Sequence, residues 1–392
     1  MPIANCPLPI DPIGSPYDYI FLGTGCATLS IVMRMIDSQQ FTSKKILLID
    51  KEPKTKNDRT WCFWESEPGF FEDIVHKKWS QLSVETYQES IPLDMGIYKY
   101  KMIRGLDFYF YCFSVITLQA NIEVVYGELN FDEPGKIKLD GQPLETGNAI
   151  VFNSVQLQAE NQPGKFYLKQ HFKGWIIETP QHDFDPLQGI LMDFRMPQDE
   201  GTTFVYLLPL GVKLALVEYT LFTKHLLPAD EYNKQLHNYL SGKLNIRDYN
   251  ILEQEFGIIP MTNATFPIYR DGIYYIGTSG GQTKPSTGYT FQFIQKRAAR
   301  LVDELIRNGS PSKEKITSKR FEFYDSTLLN ILANNKLPGK EIFTRLFLKN
   351  KASAVFKFLD NETTLREDLP IINSLPKKEF LWAGIKELIK LA

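Results

Sequence analysis

Hydrophobic and polar positions along the chain fall into three successive textures. The first is a strand, glycine turn and helix that occurs at two distant places. Tyr17 to Leu22 has the pattern of a buried strand and Gly23 and Gly25 make a tight turn. An apolar-periodic run through Met35 then predicts a helix, and Lys45 to Ile49 a second, parallel strand closed by Asp50. In such a βαβ unit the glycines let backbone N–H groups approach a pyrophosphate at the positive helix N-terminus, while the acid ending the second strand accepts ribose hydroxyls. Thr28 stands where the full GxGxxG pattern has its third glycine, so this turn alone leaves the dinucleotide open. The same grammar returns as a strand from Ile273 to Ile276, a turn with Gly277, Gly280 and Gly281, the segment Pro285 to Gly288, and an amphipathic helix to Ile306. Two such turns suit a long dinucleotide such as FAD better than NAD.

Between these turns, NDRTWCFWE (Asn57 to Glu65) reads as a loop, its Arg59, Trp61 and Trp64 being either hydrophobic plugs or the lining of a cofactor or apolar substrate site. Lys78 to Tyr100 alternates as hairpin strands do. Leu106 to Gln119 predicts a helix, with Arg104 at its entrance either meeting an anion or lying on the surface. The strand IEVVYGEL follows, and Gly147 to Val155 predicts a short strand of the central sheet. From Phe166 the second texture begins. FYLKQHFKGWIIET, GILMDFRM, TTFVYLLPL and VKLALVEYTLF predict consecutive antiparallel strands roofing a pocket. Glu218 lies inside the last of them, either facing solvent on the polar side of the alternation or buried with a raised pKa, and its sharing a face with Leu214 and Leu216 weakens the solvent-facing reading. Pro228 to Asn245 predicts a helix, and Glu255 to Met261 a strand returning to the first domain.

The third texture, from Lys319 to the end, is helical. Phe343, Leu346 and Phe347 share a face near Arg345, Lys349 and Lys351; Leu381, Trp382, Ile385, Leu388 and Ile389 are set against Lys377, Lys378, Lys386 and Lys390. Core packing and docking on a bilayer surface both explain such helices. The textures divide the chain into nucleotide-binding parts at 1–80, 101–155 and 255–310, substrate-domain strands at 81–100 and 156–254, and a helical region at 311–392. Composition changes this picture little. A formal net charge of -2 argues against nucleic acid as a partner, but the helical region carries 15 Lys and Arg against 10 Asp and Glu, so it can face an anionic surface. Cys6, Cys26, Cys62 and Cys112 show neither CxxC nor metal-ligand spacing, which fits a reduced, cytoplasmic protein. The proline-rich first sixteen residues read as a frayed lead-in, and no segment reaches membrane-spanning length.

Taken together, NDRTWCFW, QHFKGW (Gln170 to Trp175), MDFR (Met192 to Arg195), FVYLLPL (Phe204 to Leu210), VEYT (Val217 to Thr220), GIIPM and GGQTKPSTGY resemble, in order and spacing, the lycopene cyclase family of FAD-dependent carotenoid enzymes. The resemblance runs from about Tyr17 to about Ile306. It implies an α/β fold with a glutathione-reductase-like, Rossmann-type FAD domain, an antiparallel-sheet substrate domain and a helical C-terminal tail. It implies conversion of the open ends of lycopene into β-rings with reduced FAD, maintained by NAD(P)H, and no net redox change. The family's essential acid corresponds to Glu218. Tyr219 stands where a second acid is common, Asn153 replaces an aspartate and Thr278 replaces an acid in the flavin turn, which puts in doubt a two-carboxylate relay and specific cofactor hydrogen bonds. The cofactor-binding set implied is Gly23, Gly25, Cys26, Ala27, Thr28, Asp50, Lys51, Arg59, Arg104, Leu129, Gly277, Thr278, Gly280, Gly281, Pro285, Thr287 and Gly288.

The chemistry follows from residue types as well. Protonating a plain alkene needs a neutral carboxylic acid in a dry site, which an apolar strand around Glu218 supplies. The resulting carbocation needs aromatic faces, for which Trp61, Trp64, Trp175, Tyr206 and Tyr289 are candidates. The substrate is confined to the bilayer, so the enzyme is expected to be a peripheral membrane protein docking through the basic helices of Lys340 to Lys357 and Lys377 to Lys390. Alternatives on the same fold are a flavin monooxygenase, a polyprenyl reductase or a non-catalytic flavin- or carotenoid-binding protein.

Overall fold

The computed structural model describes residues 16–155, 162–314 and 318–391; the proline-rich lead-in and Cys6 fall almost wholly outside them. A six-stranded sheet carries the two glycine turns. Its order is Tyr269–Arg270, Ile273–Tyr275, Ile150–Asn153, Tyr19–Leu22, Ile46–Asp50 and Ile122–Tyr126, parallel apart from the Tyr269–Arg270 edge. Tyr19–Leu22 and Ile46–Asp50 are buried at every position and apolar at all but the closing Asp50, as strands covered on both faces must be. One face is covered by the helices Cys26–Asp37, Gly105–Ile116 and Phe291–Asn308, the other by a small antiparallel meander, Leu129–Glu133, Lys136–Leu139 and Gln142–Pro143.

A seven-stranded sheet forms the second layer, in the order Asn250–Thr262, Tyr167–Glu178, Leu214–Thr223, Thr202–Pro209, Gln188–Asp193, Gln81–Glu85 and Ser90–Pro92. Neighbours are antiparallel as expected, except that Gln188–Asp193 runs parallel to Gln81–Glu85. The strand expected at Glu255 to Met261 is longer and pairs along its length with Tyr167–Glu178, so it belongs to this sheet rather than to the nucleotide-binding one.

Two local expectations are corrected. The segment read as a loop with two tryptophans is a strand, Thr60–Glu65, because its alternating β-formers pair with Lys99–Arg104, Trp61 opposite Ile103 and Trp64 opposite Tyr100. The hairpin expected over Lys78 to Tyr100 is divided, since Gln81–Glu85 and Ser90–Pro92 join the large sheet while Lys77–Trp79 and Lys99–Arg104 pair beside Thr60–Glu65.

The helix Ala229–Gly242 packs under one face of the large sheet, against Trp175, Val217 and Tyr219. The C-terminal helices Lys319–Ala333, Gly339–Lys349, Ala352–Leu359 and Leu365–Ser374 close over the other, where Phe343 meets Phe222 and Phe356 stacks on Trp64. Phe343, Leu346, Phe347, Val355 and Phe356 are all buried, so the helices spanning Lys340 to Lys357 turn their apolar faces to the core. The last helix, Lys377–Leu391, does the opposite. It buries Ala383 and Glu387, the latter bonded by Asn330 and Lys390, and leaves Leu381, Trp382 and Ile389 at 63, 60 and 71% exposure.

Candidate active site

A cavity of about 440 Å³ lies between the two sheets, lined at one end by both glycine turns and at the other by the large sheet. At the first turn, Gly25 caps the Cys26–Asp37 helix with no side-chain cap and no acid in the first turn, so the helix N-terminus meets the cavity with unpaired N–H groups. A Cβ on Gly25 would touch nothing within 4 Å. At the second turn Gly277, at φ +64°, brings its backbone so close that a Cβ would lie 3.1 Å from that of Ala27. The two turns abut, and Gly25, Cys26, Ala27, Gly277, Thr278, Thr287 and Gly288 line one continuous wall with Arg59 at its edge. Open N–H groups, glycines that let the backbone approach, and no acid in the first turn of the helix are what a pyrophosphate-bearing cofactor requires. These residues fit FAD.

The remaining expected cofactor residues do not line this wall. Gly23, at φ +88°, is needed because a side chain would strike Ser154 and Val155 at 2.4 and 2.5 Å. Thr28 is buried in the first helix, and Gly280 and Gly281 shape the second turn against Tyr275 and Phe266, with Pro285 half-buried beyond them. Asp50 ties the first turn to its strand, accepting from the Thr24 amide and hydroxyl at 2.7 and 2.8 Å and from Lys54 at 3.1 Å. Burial raises its pKa, but these hydrogen bonds and the Lys54 charge prevail and hold it below the ordinary range. Lys51 is exposed beside Glu52. Arg104 is not free for an anionic ligand, because Asp107 holds it through two bonds of 2.8 and 2.9 Å. Leu129 starts the meander and packs against the back of the six-stranded sheet.

The other end of the cavity is organised by strand alternation. In Tyr167–Glu178 the even positions Gln170 and Phe172 face the cavity, with Gly174 next in the same parity, and in Leu214–Thr223 so do Leu216 and Glu218. The cross-strand register places Tyr206, Glu218, Gly174 and Glu255 side by side on four strands. Glu218 accepts a 2.8 Å hydrogen bond from Thr220. Burial raises its pKa well above the ordinary carboxylate value, and the nearby Glu255 carboxyl raises it further, which favours the neutral acid form of Glu218. Glu255 is itself raised, mainly by burial.

Around this pair the walls are aromatic. Tyr289 hydrogen-bonds Tyr100 at 3.1 Å and also bonds Tyr206, and burial pushes all three phenols above their usual range, so they remain neutral dipoles. Trp61 meets Phe108, Tyr109 and Phe291 beside the first turn. Trp61, Tyr206 and Tyr289 line the cavity as expected. Trp64 does not: it lies one layer behind, between Tyr289 and Phe356. Trp175 follows Gly174 and so points through the opposite face, against His237 at 4.9 Å.

Sequence reasoning misses Glu255, the spacing role of Gly174, and Cys62 and Tyr100 on the cavity wall. Glu255 shares parity in its strand with Gly257 and Ile259, but only the pairing with Tyr167–Glu178 brings it to Glu218. Tyr219 faces the helix Ala229–Gly242, so an acid at that position would not reach the cavity.

The two-sheet architecture with paired nucleotide turns is that of the FAD-dependent oxidoreductases and monooxygenases. A flavoprotein/dehydrogenase from Cytophaga hutchinsonii superposes with a TM-score of 0.61 at 11% identity, covering 95% of this chain and 99% of its own. The lycopene cyclase protein family matches residues 18–382, and the chain belongs to it. Among its relatives, the lycopene beta-cyclase of Pantoea ananas is 26% identical over 73% of this chain and 74% of that protein. The lycopene beta-cyclase of Pseudescherichia vulneris is 25% identical over 73% of each.

Proposed function

We propose that this protein is a lycopene β-cyclase that closes the open ends of lycopene by acid-initiated, non-redox cyclisation. The observation that carries the reading is a half-buried Glu218, its pKa raised, opening onto an aromatic cavity that continues to the nucleotide turns. The Glu218 carboxyl gives its proton to the terminal double bond, and the tertiary cation that forms is attacked by the next alkene to close the ring. Tyr206, Tyr289 and Trp61 present π faces and oriented dipoles to that cation while the apolar walls exclude water. Gly25, Cys26, Ala27 and the Gly277–Thr278 turn would hold FAD, which in a reduced form maintained by NAD(P)H would supply negative charge to the site. In a lycopene-accumulating host the wild-type chain yields β-carotene, and Glu218→Gln retains bound flavin but yields no rings. Substantial β-carotene from Glu218→Gln would remove the assignment.

The substrate also needs a route from the bilayer. Among the described residues no helix is long and apolar enough to cross a membrane. The helix Lys377–Leu391 turns Leu381, Trp382, Ile385, Leu388 and Ile389 outward beside Lys378 and Lys386, with Lys386 5.5 Å from the Trp382 ring. This face inserts into the headgroup region of an anionic membrane and docks the enzyme peripherally. Trp382→Asp combined with Ile389→Asp reduces co-sedimentation with phosphatidylglycerol-containing vesicles at least tenfold; unchanged binding would overturn the docking assignment.

A further inference from the structure

Proton transfer to an alkene leaves the reaction unfinished, because a ring proton must then be removed. The large sheet carries a second carboxyl for that step. Glu218 and Glu255 sit on strands separated by Tyr167–Glu178, about 9–10 Å between backbones, with Gly174 as the common cross-strand neighbour of both. Any side chain at 174 would separate them. A Cβ there would lie 2.9 Å from both Cγ and Oε1 of Glu255, so the Glu255 side chain occupies the space the glycine leaves and reaches Glu218 within hydrogen-bonding distance. The reciprocal exchange occurs one step along, where Phe172 covers Gly257 so closely that a Cβ would lie 2.3 Å from the ring. These two crossings fix the side-chain positions on both strands.

Glu255 Oε1 is buried and meets no hydrogen-bond donor if both carboxyls are ionised. A proton between the two groups satisfies it and removes the repulsion of two buried like charges. The titratable groups facing the pair are Cys62 from Thr60–Glu65, Tyr206 from Thr202–Pro209, Tyr289 from the second turn and Glu253 from the Glu255 strand. None is a cation. Arg59, on the same cavity, lies beside Asp58 at 4.0 Å.

We propose that Glu255 is the catalytic base of the cyclisation: it accepts a hydrogen bond from the Glu218 carboxyl, removes the ring proton from the cyclised cation, and returns that proton to Glu218. This rests on the reading of Glu218 as the acid. The balance closes. One proton moves from Glu218 to the terminal alkene carbon, whose π electrons form the new C–H bond. After ring closure Glu255 takes a proton from the ring carbon next to the cation, and that C–H pair becomes the ring double bond. Transfer from Glu255 to Glu218 restores the starting state with no net proton or electron change. The environments suit opposite roles, since burial raises both carboxyls but the Glu255 negative charge raises Glu218 further, whereas the Thr60 and Glu218 hydrogen bonds partly offset the rise at Glu255.

The test is ring formation by the flavin-loaded full-length protein on lycopene in liposomes, followed across pH with analysis of ring double-bond position. Activity requires Glu255 ionised and Glu218 protonated, so the wild-type profile has an acid and an alkaline limb. Glu255→Gln loses the acid limb, moves the alkaline limb down by at least one pH unit, lowers β-ring formation at least tenfold and places a fraction of ring double bonds elsewhere, with flavin content unchanged. A wild-type profile with wild-type product overturns the proposal. Should that variant fold poorly, Glu255→Asp decides: it withdraws the carboxyl by one methylene, keeps the acid limb and slows the reaction, whereas a wild-type rate and profile overturns the assignment. Ring formation by Glu218→Gln would instead refute the functional reading itself, while an inactive Glu218→Gln beside an unaffected Glu255→Gln refutes only the base.

Discussion

The two faces of the seven-stranded sheet are built from adjacent residues of the same strands, yet they treat their central titratable groups in opposite ways. On the face away from the cavity, His171 has both ring nitrogens engaged, Nδ1 with the Tyr232 hydroxyl and Nε2 with that of Thr223, each at 2.7 Å. Trp175, Val217 and Tyr219 pack around the Ala229–Gly242 helix on that side. On the cavity face, Glu218 and Glu255 share one set of hydrogen bonds and meet no cation among the groups that face them. A satisfied polar group stabilises the fold in one protonation state, whereas an under-satisfied acidic pair is poised to release and take up a proton. The sheet therefore separates a structural side from a reactive side by strand parity alone.

The largest effect expected from this contrast is on stability and belongs to the structural side. Burial lowers the His171 pKa from its usual 6.5 to about 4. A depressed pKa means that the unfolded chain takes up the proton first, so the stabilisation is present above pH 6.5 and is lost as pH falls toward 4, by about 3 kcal/mol. Denaturant titrations across this range should show that slope in the wild type. His171→Gln should be less stable at pH 7, with the slope flattened. An unaltered slope would show that His171 is not the group that titrates.

Next in size is a test of the reactive side that leaves both carboxyls in place. Gly174→Ala puts a methyl group where Glu255 now lies, 2.9 Å from its Cγ and Oε1. The obstructing atoms belong to a flexible side chain, and alanine is tolerated in a strand at least as well as glycine, so the fold holds while Glu255 is displaced from Glu218. Ring formation should fall about tenfold, equivalent to about 1.4 kcal/mol of barrier. Combining it with Glu255→Gln should add little to the loss, because both changes break the same contact. Full additivity would show that Gly174 acts through something other than Glu255.

How much of this was open to sequence reading depends on the range of the interaction that decides each feature. The glycine turns are legible because their spacing is local, and the Glu218 assignment because alternation within one strand puts it with Leu214 and Leu216. Glu255 is not, since its meeting with Glu218 depends on the register of strands some eighty residues apart in the chain. Trp64 and Trp175 look like ligand contacts in a motif, but pairing alone decides which layer or face each occupies. The basic helices show the same limit. Gly339–Lys349 and Lys377–Leu391 have similar amphipathic patterns, yet the first buries Ile342, Phe343, Leu346 and Phe347 while the second, among the described residues, buries only Ala383 of its large or methyl-bearing apolar residues and is tied to Asn330 through Glu387.

The smallest effect expected is at Trp175, and its smallness is what makes it informative. The residue follows Gly174 directly in the QHFKGW motif, so any account of that motif as a substrate-contacting unit requires a loss of activity when the indole is reduced. Its ring instead lies against His237 and Tyr249, with a buried indole N–H that has no partner. Trp175→Phe removes that unpaired donor while leaving an aromatic ring, so the lost packing is partly offset and the stability change should be about 1 kcal/mol or less. Ring formation and its pH profile should stay within about twofold of wild type, a change in barrier of about 0.4 kcal/mol. A tenfold loss with normal flavin content would mean that the site senses both faces of the sheet, and the separation by parity would fail.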